Sequence, residues 1–124
     1  MRSSEDEMNT HRNPRELAID LCSRSPCRVK MACVLSDGYG IFNWGWNHPG
    51  PKGIGEHAEA MAIRRANRKR LKDSKATIAG YRGRTLGPVK SKPCEACQAL
   101  LEVHGVERVE WMEQNGVWRM TCKI

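Results

Sequence analysis

The sequence predicts an α/β fold in which helices cover both faces of a five-stranded mixed sheet, giving a three-layer α-β-α arrangement. Short segments that predict strands and longer segments that predict helices follow one another in the order αββαβαββ. The last two strands are joined by only the five residues 112–116. A parallel pair needs a connection of about a dozen residues or more, so we expect an antiparallel C-terminal hairpin. Asn115-Gly116 in this connection is a favoured hairpin dipeptide.

The first half of the chain predicts one helix and one β-hairpin. Asn13-Pro14 is a good helix start, because proline lacks an N–H that the first helical position does not need. This helix should run to about Cys22 or Ser23, since Ser25-Pro26 interrupts it. Three further elements are a buried strand over Val29–Leu35, a turn over Ser36–Gly40 and a partner strand over Ile41–Trp46.

The second half predicts two helices and three strands. The first helix begins near Glu56 and ends near Arg70, and the second follows Pro93 and runs to about His104, where Gly105 is a fitting C-cap. The strands are predicted at Thr77–Tyr81, Val106–Trp111 and Val117–Lys123, and a basic loop covers Arg82–Lys92. We expect residues 1–12 to be a flexible tail and residues 13–124 to form a single domain.

Composition excludes several classes of protein. The first 16 residues are mostly charged and polar, so we expect no signal peptide, and no run approaches the roughly 18 apolar residues of a membrane span. The protein is therefore expected in the cytoplasm, without a membrane partner. In a reducing compartment, the cysteines outside the motif described next (Cys22, Cys27, Cys33 and Cys122) are expected to be small buried residues rather than disulfide partners.

Two short motifs carry the chemistry of the sequence: His57-Ala58-Glu59 and Pro93-Cys94-Glu95-Ala96-Cys97. One imidazole and two thiolates supply three ligands for Zn²⁺, and three protein ligands leave a fourth position open for water. Cys94 and Cys97 are three residues apart and share a face of a helix, whose amino terminus lowers a thiol pKa. Glu59 lies two residues beyond the histidine, where it can reach the water without binding the metal.

Two alternatives remain for the cysteine pair. A closed structural zinc site would need a fourth ligand, for which Cys22, Cys27, Cys33 and Cys122 are candidates. A redox-active CxxC is the other alternative. The acid that follows the histidine favours an open catalytic site, because a structural site has no use for it.

The two motifs resemble the H-x-E…P-C-x-x-C signature of the cytidine and deoxycytidylate deaminase superfamily, and the resemblance covers roughly Arg28 to Trp118. It implies a cytidine-deaminase-like fold and a zinc-dependent hydrolase that converts cytosine to uracil. Zinc supplies hydroxide at neutral pH, and Glu59 would move protons to N3 of the base and to the leaving amine.

The segment Gly45-Trp46-Asn47-His48-Pro49 resembles tRNA adenosine deaminases. That resemblance implies that Asn47 orients the sugar. Trp44 and Trp46 are candidates to pack against the base, with core packing as the alternative, and Ala58 is a further candidate for substrate contact. Short phage and actinobacterial deaminase-like proteins resemble the whole chain best.

The substrate is left open between classes. Twenty-one Lys and Arg residues against 14 Asp and Glu give a net charge of +7, which favours an anionic partner. Arg65, Arg68 and Lys69 are candidate phosphate contacts, with a solvated helix face as the alternative. The short antiparallel ending resembles free-nucleoside deaminases and favours a free (deoxy)cytidine nucleoside or nucleotide. Cytosine in single-stranded DNA or RNA and a non-catalytic zinc module are the alternatives, and a homo-oligomer is compatible with each.

Overall fold

The computed structural model of the chain describes residues 13–50, 55–83 and 87–122, so the tail predicted at 1–12 lies outside the described residues. The five strands form one sheet in the order β2-β1-β3-β4-β5. They are β1 (Val29–Asp37), β2 (Gly40–Trp46), β3 (Lys75–Arg82), β4 (Arg108–Met112) and β5 (Trp118–Cys122). β3 and β4 are parallel, and the other neighbouring pairs are antiparallel. The predicted mixed sheet with an antiparallel C-terminal hairpin is confirmed.

Helices cover both faces of this sheet, as the three-layer prediction requires. They are α1 (Pro14–Leu21), α2 (Ala58–Arg64), α3 (Arg68–Leu71) and α4 (Glu95–Val103). α1 packs over β1 and β3 on one face, whereas α2 contacts α4 on the other. β1 alternates between the two cores, because successive strand side chains point to opposite faces: Cys33 and Leu35 lie under α2, and Ala32 and Val34 lie under α1.

The single helix predicted from near Glu56 to near Arg70 is wrong, because the structure divides it into α2 and α3. The Asn67 side chain accepts a hydrogen bond from the Lys69 N–H at 3.0 Å and so caps α3. Asparagine offers the backbone this alternative to a continuous helix. Among the described helices, none is long and apolar enough to cross a membrane.

A buried carboxylate ties α1 to the sheet. Glu110 on β4 is 1% exposed. It accepts hydrogen bonds from the Arg15 guanidinium at 2.8 Å and from the Thr77 hydroxyl at 2.7 Å, and Lys75 Nζ lies 3.2 Å from its second oxygen. Burial raises the pKa of Glu110, but these partners outweigh burial and hold it below its ordinary value. The carboxylate therefore stays ionised and links α1 and β3 to β4.

Gly45 sets how closely α2 lies on the sheet. A Cβ at this position would lie 2.6 Å from the Ala62 backbone nitrogen and 2.7 Å from the Ala58 carbonyl oxygen. Both atoms belong to the helix backbone, so a side chain at residue 45 cannot be accommodated by a rotamer change. The absence of a side chain at Gly45 thus lets α2, which begins directly after His57, pack backbone to backbone against β2.

We expect Gly45→Ala to lower the free energy of unfolding by about 1–3 kcal/mol, because the added methyl group pushes α2 away from the sheet. Gly38→Ala is the matched control, since a Cβ at Gly38 in the β1–β2 turn meets no atom within 4 Å. Urea denaturation of both variants measures the difference, and equal stability of the two would contradict the close-packing argument.

Candidate functional site

The residues of the two motifs meet where α2 and α4 begin. His57 is the N-cap of α2 and Cys94 is the N-cap of α4, both with extended backbone, and neither side chain caps its own helix. Cys97 lies in the first turn of α4. Each helix therefore begins one residue after the first ligand of its motif, later than predicted from Glu56 and Pro93. Because neither side chain bonds to its own helix, His57 and Cys94 are free to turn toward each other.

The spacing of the three side chains suits a zinc ion. His57 Nδ1 lies 3.1 Å from Cys97 Sγ and 3.9 Å from Cys94 Sγ. With Zn–S distances of about 2.3 Å and Zn–N distances of about 2.0–2.1 Å, tetrahedral geometry separates N and S ligand atoms by about 3.6 Å. The two observed distances lie on either side of this value. Among the described residues, His57, Cys94 and Cys97 are the group whose ligand atoms all lie within 4.8 Å of one another.

The electrostatics of this group also call for a cation. Burial raises the pKa of the Cys97 thiol well above its ordinary value, and the nearby Glu59 carboxyl and Cys94 raise it further. The lowering that was expected from the helix amino terminus is therefore outweighed at Cys97. Because metal binding requires thiolate, a zinc ion held by these residues would supply the positive charge that favours the deprotonated sulfurs.

Glu59 lies beside His57, Cys94 and Cys97. It is 5% exposed in the first turn of α2. Burial raises the pKa of Glu59, while the charge of His57 and a hydrogen bond with Cys97 act in the opposite direction. A carboxyl group whose pKa is raised toward neutrality is suited to accept and return a proton.

A pocket of ≈ 250 Å³ opens over this group. It is lined by Met31, Asn47, His57, Ala58, Glu59, Lys92 and Cys94. The structure thus brings Asn47 and Ala58, both predicted substrate contacts, to the same cavity as the motif residues. Sequence reasoning did not single out Met31. It named Lys92 only as the end of the basic loop Arg82–Lys92, whose residues would contact phosphates of a single strand in the polynucleotide alternative.

Hydrogen bonds hold the Asn47 side chain in a fixed orientation. Its Oδ1 accepts from the Ser25 hydroxyl at 2.6 Å and from the Met31 N–H at 2.9 Å, and its Nδ2 donates to the Val29 carbonyl at 2.9 Å. The backbone donor at Met31 requires an oxygen partner, which fixes the amide orientation. An amide carries two N–H donors, and these contacts use one of them.

The two candidate tryptophans do not join the pocket, which corrects the stacking prediction. Trp44 and Trp46 pack against the core under α1, and the Arg24 guanidinium lies 5.6 Å from the Trp46 ring. Gly45 between them faces α2. Because strand side chains alternate, both indoles lie on the opposite face of the sheet from the motif residues.

The candidate phosphate contacts also lie away from the pocket. Arg65, Arg68 and Lys69 are exposed at the end of α2 and on α3, and none of them lines the pocket over Glu59. Their neighbours are already paired: Arg64 binds Glu56 at 2.8 Å and Arg70 binds Asp37 at 2.7 Å.

The other cysteines stay outside the ligand group. Cys22 and Cys33 are buried, as expected, and Cys27 is half-buried. Burial raises the pKa of Cys22 to about 12. The Cys122 side chain lies outside the described residues. A closed structural site built from Cys22, Cys27 or Cys33 is therefore not supported by the ligand geometry.

The other histidines in the described part of the chain, His48 and His104, lie outside this ligand group. His48 Nε2 lies 2.9 Å from a Glu56 carboxylate oxygen, and both residues line a neighbouring cleft of ≈ 530 Å³. His104 is the C-cap of α4. His11 lies outside the described residues.

Comparison with known proteins identifies the family of this chain. The family model of the cytidine and deoxycytidylate deaminase zinc-binding region matches residues 8–113. Comparison of the sequence with curated proteins gave no significant match.

Three solved structures share the fold at low sequence identity. The cytidine deaminase of Burkholderia pseudomallei is 21% identical with a TM-score of 0.67, over 91% of this chain and 92% of that one. The cytidine deaminase of Mycobacterium leprae is 16% identical with a TM-score of 0.57, over 96% and 94%. The dCMP deaminase of cyanophage S-TIM5 is 16% identical with a TM-score of 0.52, over 94% and 90%. Since the family model spans most of the sequence, the chain belongs to the cytidine and deoxycytidylate deaminase family and is a zinc-dependent hydrolytic deaminase.

Proposed function

We propose that this deaminase converts cytosine to uracil in a free (deoxy)cytidine nucleoside or nucleotide. The observation that carries the proposal is the ≈ 250 Å³ pocket, in which Glu59, two of the metal-binding side chains and Asn47 face one small cavity. Small-molecule sites usually measure roughly 300–1,000 Å³, so this cavity lies at the small end of such sites and favours one nucleoside or nucleotide over a longer ligand. The structural neighbours bear the names cytidine deaminase and dCMP deaminase, which supports both members of the substrate class.

His57, Cys94 and Cys97 would hold the zinc ion, through Nδ1 and the two sulfurs. Zinc bound in such an open site lowers the pKa of a water molecule and so provides the nucleophile at neutral pH. The chain contributes the fixed positions of the ligands, because the starts of α2 and α4 set the directions of His57 and Cys94.

Glu59 would carry the protons of the reaction. As water adds to C4 of cytosine, the Glu59 carboxylate takes a proton from that water and delivers it to N3. It then transfers the second proton to the departing amine, which leaves as ammonia, and the product is uracil. A buried carboxyl group with a raised pKa can hold each proton between these transfers.

Asn47 would orient the sugar with the amide N–H that its protein contacts leave unused. Three hydrogen bonds to Ser25, Met31 and Val29 fix the amide plane, so the donor is positioned before substrate binds. Ala58 is fully buried at the first position of α2 and would pack beside the base in the same pocket.

The alternative substrate is cytosine in single-stranded DNA or RNA, and the net charge of +7 is the observation that favours it. Arg65, Arg68 and Lys69 would then contact phosphates that flank the reacting nucleotide. Their position outside the pocket gives them no part in binding a free nucleotide.

Cys97→Ala should abolish stoichiometric zinc binding, because it removes one of three protein ligands. We expect one zinc per chain in the wild-type protein by metal analysis. Cys22→Ala and Cys33→Ala are matched controls, since both replace buried cysteines outside the ligand group and should keep zinc. Loss of zinc from Cys33→Ala, or full zinc in Cys97→Ala, would refute the ligand assignment.

Glu59→Gln should keep zinc and the fold but lose turnover by about 10²–10⁴-fold or more, because the amide cannot accept the protons. Initial rates with cytidine, deoxycytidine and dCMP, together with metal analysis, test this. Glu102→Gln, at an exposed position on α4, serves as the control and should behave as wild type. An active Glu59→Gln protein would exclude the proposed proton transfers.

Salt dependence separates the free substrate from the polynucleotide. Affinity for a single strand falls by about 0.7 log units per log unit of salt for each phosphate contact, whereas a nucleoside gives almost no slope and a mononucleotide a shallow one. We expect Arg65, Arg68 and Lys69, replaced together by Gln, to leave turnover of cytidine and dCMP unchanged. Efficient, salt-sensitive deamination of a cytosine-bearing oligonucleotide, with cytidine and dCMP untouched, would instead establish the polynucleotide alternative.

A further inference from the structure

Lys92 is the residue of the pocket wall to which the chemistry above gives no role. Among the described residues that line the pocket, it is the one with an ammonium or guanidinium group. Within the described parts of the chain, its ammonium forms no ion pair with a carboxylate. The pocket wall therefore presents a cation that is free to meet an anionic group of a ligand.

The backbone next to Lys92 is held firmly. The buried Ser91 hydroxyl donates to the Ile78 carbonyl at 2.7 Å and accepts from the Met112 N–H at 2.9 Å, and the Ser91 N–H donates to the Met112 carbonyl at 2.9 Å. Pro93 on the other side restricts the backbone of Lys92 itself. The root of the lysine side chain is thus fixed to β3 and β4.

The ammonium end of the Lys92 side chain is also restrained, by an aromatic ring. The Lys92 ammonium lies 5.5 Å from the centroid of the Trp111 ring, within the range of a cation–π contact. Trp111 is 8% exposed, and its Nε1–H donates to Glu113 at 2.8 Å, so the ring is a rigid platform. This contact restrains the ammonium beside the pocket without neutralising its charge.

We propose that Lys92 binds the phosphate of a cytidine monophosphate, so that the preferred substrate is a free mononucleotide rather than a nucleoside. The inference rests on the proposed function, because it assumes that the base enters toward Glu59 and the sugar lies near Asn47. If the base binds beside Glu59 and the sugar beside Asn47, the phosphate lies near the part of the pocket wall that these two residues do not form. Lys92 is the polar residue in that part of the wall.

The surface beside Lys92 favours a terminal phosphate over a continuing strand. Lys92 and Cys94 also border an adjoining cleft of ≈ 510 Å³, whose lining includes the exposed acids Glu95 and Glu102. A polynucleotide that continued from Lys92 into this cleft would bring its next phosphate toward two carboxylates. Like charges repel there, whereas a mononucleotide has no further phosphate to place.

The test is the ratio of kcat/KM for dCMP to kcat/KM for deoxycytidine, measured with zinc-loaded protein. We expect the wild type to prefer dCMP and Lys92→Gln to lower the ratio by about tenfold, mainly through KM for dCMP, because one charge-assisted contact is lost. Lys92→Arg should keep most of the preference, and Lys90→Gln, at an exposed position two residues earlier, should keep all of it. A ratio that Lys92→Gln does not change would overturn the proposal.

A binding measurement separates this proposal from the proposed function. Calorimetric titration of zinc-loaded Glu59→Gln with dCMP and deoxycytidine reports the phosphate preference without turnover, and adding Lys92→Gln should remove it. Preferential, Lys92-dependent binding of dCMP by a protein whose wild type deaminates neither compound would support the phosphate site while refuting the proposed function. Turnover of deoxycytidine with no preference for dCMP would support the proposed function and refute the phosphate site at Lys92. A cytosine-bearing oligonucleotide that is deaminated while dCMP is not would overturn both.

Discussion

His57 and Cys97 are 40 positions apart in the sequence, yet His57 Nδ1 lies only 3.1 Å from Cys97 Sγ. The arrangement of the site depends on this close contact. It requires that α2 and α4 begin at the same end of the sheet and on the same face. β3 precedes α4 in the sequence and leads into the segment that carries Cys94. The close contact of α2 with Gly45 sets the distance between His57 and β2. Because Glu59 follows in the first turn of α2, the packing that positions His57 also positions Glu59, the proposed acid–base group.

Much of the fold could be predicted from local signals in the sequence. The Asn13 cap, the Asn115-Gly116 turn and the short final connection each act within a few residues, and the structure contains the predicted helix start and hairpin there. The break between α2 and α3 was missed. The stretch between Arg64 and Leu71 has good helix formers, and a single Asn67 side chain diverts the backbone by capping Lys69. Such competition between side chain and backbone is decided by small energies that a periodic pattern does not reveal.

The grouping of His57, Cys94 and Cys97 could also be predicted, because residue type and spacing indicate a metal-binding set. The wall of the pocket could not, since it combines β1, the end of β2 and the segment before α4. Trp44 and Trp46 show the difference. Their aromatic character suggested stacking on a base, but the alternation Trp-Gly-Trp already places both indoles on the face opposite Gly45, and Gly45 is the residue under α2. Strand parity was therefore a better guide than residue type.

For the proposed free-nucleotide substrate, the placement of individual charges carries more weight than the net charge. In the basic segment from Arg64 to Lys72, two of the guanidinium groups are engaged within the protein: Arg64 with Glu56, whose pKa is lowered to about 2 chiefly by that hydrogen bond, and Arg70 with Asp37. Charges paired in this way contribute little to the attraction of a distant polyanion, because the two fields largely cancel. Lys92 has no such partner among the described residues and lies at the reacting pocket. A single unpaired cation at the site can thus select a phosphate more effectively than a larger basic surface at the far end of α2.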